Sequence, residues 1–368
     1  MAGNEVDTGG GRDRWALVRY LVGILVGCVV LLLLFGKRGE LAAAWHHLAT
    51  ASSGWLATAI AAETLSLLMY ALLQERVLRL SGTVIPLPGL FLLSLANDAI
   101  ACSVPGEPAV SSAYRYRYYR RRGASGASAG WTIFTVLIAQ AIGMSLLVLL
   151  GVVVALTGSA STAGAGVTVI GLVLVLGAGA ILIRRDLVLR LAAASVRGID
   201  RLARHRGSPA DADRMTIAAR IERTLMRMRE IPLSRTSTVT VVALAAAAWG
   251  CDFLCLVCSF RVVHAHVPWH AVLLAYGVAM VVGSLPVVPG GFGIVEGSLA
   301  VVLVAYGVGQ VAAVSVALAF RLVQFWLAIA VGWLSFGVIA YLFRRERASG
   351  AWAVPEAGLE AVRATPPE

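Results

Sequence analysis

Five carboxylic acids stand inside or at the edges of apolar stretches: Glu63, Asp98, Glu107, Asp252 and Glu296. Arg321 is the basic residue that accompanies them. Charge is costly in hydrocarbon, and ionisable side chains there mark binding sites, ion paths or proton relays. Glu296 lies in "LPVVPGGFGIVEG", residues 285–297, a stretch with two prolines and four glycines. Pro289 lacks an N–H, and Gly290, Gly291 and Gly293 can take positive φ, so a helix breaks here. Broken backbone at membrane depth survives only where it is buried in protein or lines a polar cavity. A helix restarting at Ile294 turns its N-terminus toward the break, which favours an anion such as a lipid phosphate. Glu296 in that first turn favours a cation, and Arg321 is suited to pair with it until a charged headgroup competes. A phospholipid with a basic headgroup offers both charges.

A second Pro-Gly step, "PGE" at 105–107, precedes "AYRYRYYRRRG" at 113–123. The latter shows no clean helical face. Its Arg115, Arg117, Arg120 and Arg121 suit headgroup contact and a cytoplasmic funnel for anionic lipid, and they equally suit plain topology determinants. Asp98 beside Asn97 reads as a cap for a broken helix. The substrate-binding set is therefore Glu107, Asp252, Pro289, Gly290, Gly291, Gly293, Glu296 and Arg321.

These residues need a membrane scaffold to position them. Hydrophobic residues make up 59% of the chain and charged ones 14%; mean hydropathy is +0.82. That composition excludes an ordinary soluble domain. The net charge of +11 rests on arginine, Lys37 being the sole lysine, a bias that reads as codon usage. A crossing helix takes about 20 apolar residues. Full spans are expected near 16–35, 55–73, 131–156, 165–183, 237–260 and 322–343, with Arg321 at the outer end of the last. Basic segments 74–86, 105–130, 184–235 and the C-terminus belong in the cytoplasm, and 157–164 and 261–270 outside. The runs 87–104 and 269–306 must then enter and return on the side they came from. They become two re-entrant hairpins of opposite sense, headed by Pro88 and Pro268, with Glu63 and Asp252 in corresponding spans. The fold class is all-α, a polytopic bundle with about six spans, two broken hairpins and an inverted repeat, an architecture that places transport sites at the midplane.

Residues 1–15 and 346–368 read as disordered cytoplasmic tails around a membrane domain at 16–345, in which 184–235 is a cytoplasmic helical hairpin. Residues 18–35 are too long for a signal-peptide core and are followed by Lys37 and Arg38. The five cysteines lie in apolar runs and suggest no disulfide framework. The histidines and cysteines show no metal-ligand spacing, and no nucleotide-binding or hydrolase motif occurs. No cofactor, metal or nucleic-acid partner is expected; the partners are membrane lipids and a membrane enzyme.

"VVPGGFGIVEGSLAVVLVAYGV" followed by "AFRLVQFWLAIAVGW" resembles the C-terminal signature of the lysylphosphatidylglycerol synthase transmembrane-region family, flippase-like integral membrane proteins. The matching positions are Pro289, Gly290, Gly291, Gly293, Glu296, Gly307, Arg321 and Trp326. Asn97, Pro105, Gly106, Glu107 and Gly123 fit the family's first half, and Trp249 and Asp252 its middle span. The resemblance covers about residues 16–345. One departure is that many members carry an acid-Arg pair where this chain has Val136 and Leu137, with Gln140 one turn on. The resemblance implies a lipid flippase-like module. In the full multiple peptide resistance factor such a module moves aminoacylated phosphatidylglycerol outward while a separate soluble domain makes it. With no synthase domain here, lipid aminoacylation is not expected.

The function expected is therefore binding or translocation of a phospholipid or lipid-linked headgroup in the cell membrane, with both termini cytoplasmic and no enzymatic activity. A scaffold recruiting a lipid- or glycan-modifying enzyme is the alternative, and a membrane-embedded lipid transferase a third.

Overall fold

The structure, a computed structural model, describes residues 52–103, 107–156, 234–284 and 289–348. The expected spans at 16–35 and 165–183, most of the 184–235 hairpin, residues 1–15 and 349–368, and Pro105 and Gly106 lie outside the described residues. The described chain is helical, with no strand in it. Its helices are α1 (Ser53–Leu80), α2 (Leu87–Ser103), α3 (Glu107–Arg121), α4 (Gly126–Leu156), α5 (Arg235–Val262), α6 (Trp269–Gly283), α7 (Ile294–Ala305), α8 (Gln310–Arg321) and α9 (Ala328–Ala348). A π-helical turn, Leu322–Leu327, joins α8 to α9 without a break. Four helical stretches are long and apolar enough to cross a membrane: Ser53–Leu80, Gly126–Leu156, Arg235–Val262 and Gln310–Glu346.

The last of these corrects the sequence expectation. The last long apolar helix begins at Gln310, not near 322, so Arg321 lies within that helix rather than at its end. A charge in an apolar window splits the run when each residue is weighed alone; in the fold that charge is compensated, and the helix continues.

The described helices before residue 157 and after residue 233 repeat one another's boundaries. Ser53 and Arg235, Leu80 and Val262, and Leu87 and Trp269 are each 182 positions apart. Their ends are built alike. Gly82 and His264, at φ 77° and 57°, turn the chain after α1 and α5. The next residues, Thr83 and Ala265, donate five residues back to Leu78 and Phe260, the bond that closes a helix around a left-handed residue. The carbonyl of Pro86 accepts from Gly89 and Leu90, and that of Pro268 from Ala271 and Val272. Pro86, rather than Pro88, is thus the counterpart of Pro268. Further on, Gly123 and Gly307, at φ 91° and 89°, end α3 and α7. Ala124 and Val308 then donate five residues back to Tyr119 and Leu303.

Helices α1 and α5 pack against each other in opposite directions. The amide of Ser52, at the start of α1, donates to the carbonyl of Val262 at the end of α5 at 3.2 Å, so α1 and α5 run antiparallel. Helix α6 lies on α4, and α2 on α9. Glycine permits both approaches. A Cβ on Gly151 would stand 2.9 Å from the amide nitrogen of Leu274, and one on Gly332 would overlap the Leu95 carbonyl and the Ala99 side chain. The outer surface of α4 is aliphatic, with Leu137 64%, Leu150 55% and Leu156 70% exposed, as a lipid-facing helix requires.

Candidate functional site

The chain breaks between α6 and α7, and glycine makes the break possible. Gly290, Gly291 and Gly293 have φ of 58°, 62° and 79°. These left-handed residues fold the chain back so tightly that a Cβ on Gly291 would lie 2.9 Å from the Gly283 carbonyl oxygen. A Cβ on Gly290 would meet the Phe325 ring and stand 2.9 Å from Cys102 Cα. Cys102 belongs to the last turn of α2, so the end of the first interrupted run abuts the break in the second.

Arg321 fills this junction. It is buried, and its guanidinium is spent on three acceptors. Nε donates to Glu296 Oε1, Nη1 to Gln324 Oε1 and Nη2 to the Gly290 carbonyl, each at 2.8 Å. Its carbon centre lies 4.2 Å from the Phe325 ring centroid. Phe292 closes over the same rings, 5.8 Å from Phe325 and 6.1 Å from Trp326. The π-helical turn that follows Arg321 carries Gln324, Phe325 and Trp326. Such widened turns recur at functional sites because they re-aim side chains within a helix. The second carboxylate oxygen, Glu296 Oε2, is buried with no donor among the described residues.

A second polar cluster lies between α1 and α5. The carboxyls of Glu63 and Asp252 are within hydrogen-bond reach of one another, and Tyr276 on α6 donates its hydroxyl to Asp252 Oδ2. Arg321 is near enough to act electrostatically on Asp252, which links the two clusters. Glu63 and Asp252, expected in corresponding spans, do not occupy corresponding positions within them. On the 182-residue spacing the counterpart of Asp252 is Tyr70 and that of Glu63 is Ala245. The two acids instead oppose each other directly across antiparallel helices.

The tyrosine-arginine segment has a helical face after all. Ser111, Tyr118 and Tyr119 are buried and Tyr114 and Arg115 half-buried, one stripe of α3, while Arg117, Arg120 and Arg121 are exposed. Tyr119 donates to Gln74 Oε1 at 2.5 Å, and Gln74 Nε2 donates to Ser94 Oγ at 2.8 Å. Arg115 donates to the Tyr70 hydroxyl at 2.5 Å. Arg120 caps the Ala124 carbonyl at 2.7 Å, and Arg121 lies 5.0 Å from the Phe343 ring centroid. Tyrosine hides its face from a hydropathy pattern because its ring is apolar and its tip polar.

Of the sequence-derived set, Gly290, Glu296 and Arg321 meet directly, with Gly291 and Gly293 shaping the same turn. Asp252 lies in the adjoining cluster. Pro289 opens the turn, and Glu107 opens α3; the side chains of both fall outside those described. Tyr276, Gln324 and Phe325 escaped the sequence analysis. Gln324, a polar residue one turn from Arg321 in an apolar run, was detectable; Tyr276 and Phe325 gave no signal. Among the described residues before 157 there is no such centre: Leu137 and Gln140 stand 184 positions before Arg321 and Gln324, the spacing that also relates Gly123 to Gly307. Gln140 instead accepts, through its carbonyl, the Trp249 indole N–H at 3.0 Å. Cys102, Cys251, Cys255 and Cys258 form no disulfide among the described residues.

The family described as "Lysylphosphatidylglycerol synthase TM region" matches residues 20–332. A UPF0104 membrane protein of Pyrococcus horikoshii is 32% identical over 84 residues, covering 23% of this chain and 25% of that protein. A UPF0104 membrane protein of Methanothermobacter thermautotrophicus is 33% identical over 97 residues, covering 26% of this chain and 29% of its own length. The chain thus aligns with only about a quarter of these curated relatives.

Proposed function

This chain belongs to the lysylphosphatidylglycerol synthase transmembrane-region family, a family of multi-pass membrane proteins, and we propose that it binds and translocates a phospholipid or lipid-linked headgroup. The observation that carries the proposal is the capture of the Gly290 carbonyl by Arg321, with Glu296 on the same guanidinium. A helix is broken among apolar helices, and the freed Gly290 carbonyl is held by Arg321, itself paired with Glu296. A headgroup with a phosphate and an amine can replace each partner of that pair in turn: the phosphate engages Arg321, and the amine engages Glu296.

Two inverted halves supply the path in this proposal. Helix α1 through α4 forms one half and α5 through α9 the other. Helix α2, the run expected to re-enter at 87–104, and the α6–α7 pair at 269–306 enter from opposite faces and meet where Gly290 approaches Cys102. The equal boundary spacing, the matched helix ends and the antiparallel packing of α1 on α5 support it, and such repeats favour alternating access to a midplane site. The protein lies in the cell membrane with both termini cytoplasmic, makes and breaks no covalent bond, and has membrane lipid as its partner.

Lipid analysis of the gently purified protein tests the proposal. One lipid class should be enriched over the bulk membrane in the wild type and lost in Glu296→Gln and Arg321→Gln. Equal, unselective lipid in all three would overturn the site and favour a scaffold that recruits a lipid- or glycan-modifying enzyme.

A further inference from the structure

Glu63 and Asp252 bring two acidic side chains into contact inside the bundle, and neither the charged pair at Arg321 nor the helix break uses them. Glu63 is 8% and Asp252 4% exposed. Tyr276 supplies one donor to Asp252 Oδ2, whereas Glu63 Oε2 and Asp252 Oδ1 have none among the described residues. Ionised carboxylates only accept hydrogen bonds, so two that touch need a proton between them, and like charges this close in a low dielectric repel strongly. Among the described residues no three His, Cys, Asp or Glu side chains converge as ligands for a metal ion. Register adds depth. Glu63 is eleven residues from Ser52 along α1, and Asp252 is ten from Val262 along α5, the ends joined by a backbone bond. At about 1.5 Å per residue the pair lies roughly 16 Å from that end, in the interior of two 28-residue helices.

We propose that Glu63 and Asp252 hold one exchangeable proton between them, and that its release to one side and uptake from the other drives headgroup movement. The coupling rests on the lipid-translocating function proposed above; the proton site does not. On release the proton passes to water and leaves both carboxylates charged, steadied by the Tyr276 hydroxyl and by Arg321, whose hold on Glu296 then loosens. The groups facing the pair are Tyr276 on α6, Arg321 on α8, Cys251 and Cys255 on α5 and Asp98 on α2. Because one acid comes from each half, a change in their separation is a change in how the halves meet.

Two measurements separate the parts of this proposal. Infrared difference spectra of the full chain in phosphatidylethanolamine–phosphatidylglycerol vesicles, titrated with acid and base, should show one protonated-carboxyl band. Glu63→Gln and Asp252→Asn should each abolish or shift it, and sodium should leave it in place. A band unchanged in both variants, or one displaced by sodium at constant pH, overturns the proton site whatever the lipid does. Movement of headgroup-labelled phosphatidylglycerol in the same vesicles should vary with pH, by up to roughly tenfold per unit as a one-proton step allows, and follow an imposed pH gradient. Glu63→Gln should flatten that dependence to within about twofold. Movement indifferent to pH and gradient overturns the coupling, and a wild type that moves no lipid overturns it together with the function on which it rests.

Discussion

Arg321 Nη2 donates to the carbonyl of Gly290 at 2.8 Å while its Nε holds Glu296 at the same distance, so one side chain binds both sides of a helix break. The break and the ion pair are one unit. The Arg321 side chain is 4% exposed and that of Glu296 17%, and breaking a buried pair strands the surviving charge. Arg321→Gln should therefore lower stability in detergent by about 3 kcal/mol, the lower end of the range for buried pairs, since Glu296 keeps some exposure. A double-mutant cycle with Glu296→Gln should return a coupling of about 1–3 kcal/mol. Purely additive losses in denaturant unfolding would show that the two residues act separately.

Gly290→Ala should be far worse than Gly297→Ala. Position 290 has φ 58°, and its added Cβ meets the Phe325 ring and Cys102 backbone; position 297 is helical with nothing within 4 Å. The first should cost at least about 1–3 kcal/mol of backbone strain before any clash. The second should be neutral or stabilising by up to about 1 kcal/mol. Thermal unfolding by intrinsic fluorescence distinguishes them, and equal midpoints would contradict the turn described here.

The crossing of α2 and α9 should be equally sensitive to one methyl group. Gly332→Ala forces helix α9 off the Leu95 carbonyl and should destabilise by about 1–3 kcal/mol. Gly337→Ala has open space and should gain up to about 1 kcal/mol. If both raise the unfolding midpoint, the helices do not approach this closely.

Tyr119→Phe should cost about 1–3 kcal/mol, because Gln74 Oε1 loses its donor in a buried position. Adding Gln74→Leu should cost less than the two single losses summed, as the orphaned acceptor goes with it. Chemical unfolding of the four proteins measures this directly, and a silent Tyr119→Phe would place the hydroxyl in contact with water.

Opposed halves predict opposite sidedness for equivalent turns. In a background freed of native cysteines, Val84→Cys should react with an impermeant maleimide only from the cytoplasmic face, and His266→Cys only from the outer face. Both positions are well exposed in the turns after α1 and α5. Labelling from the same face would refute the inverted arrangement.

The sequence by itself determined what short-range chemistry controls. Long apolar runs dictated an all-helical membrane fold, and Pro289 with Gly290, Gly291 and Gly293 dictated a break. Glu296 and Arg321 were an expected pair because opposite charges in an apolar setting have no other economical partner. Tertiary structure decided the rest. Helix α9 continues back through Arg321 to Gln310 because Glu296, Gln324 and the Gly290 carbonyl compensate a charge that ends the apolar run in a local window. The aromatic face of α3 became visible only where Gln74 and Ser94 met it. Glu63 and Asp252, placed by the sequence in corresponding spans, meet across the bundle because of the antiparallel register of α1 and α5. That register is set by packing along the whole length of both helices, a long-range property that no stretch of sequence around either acid contains.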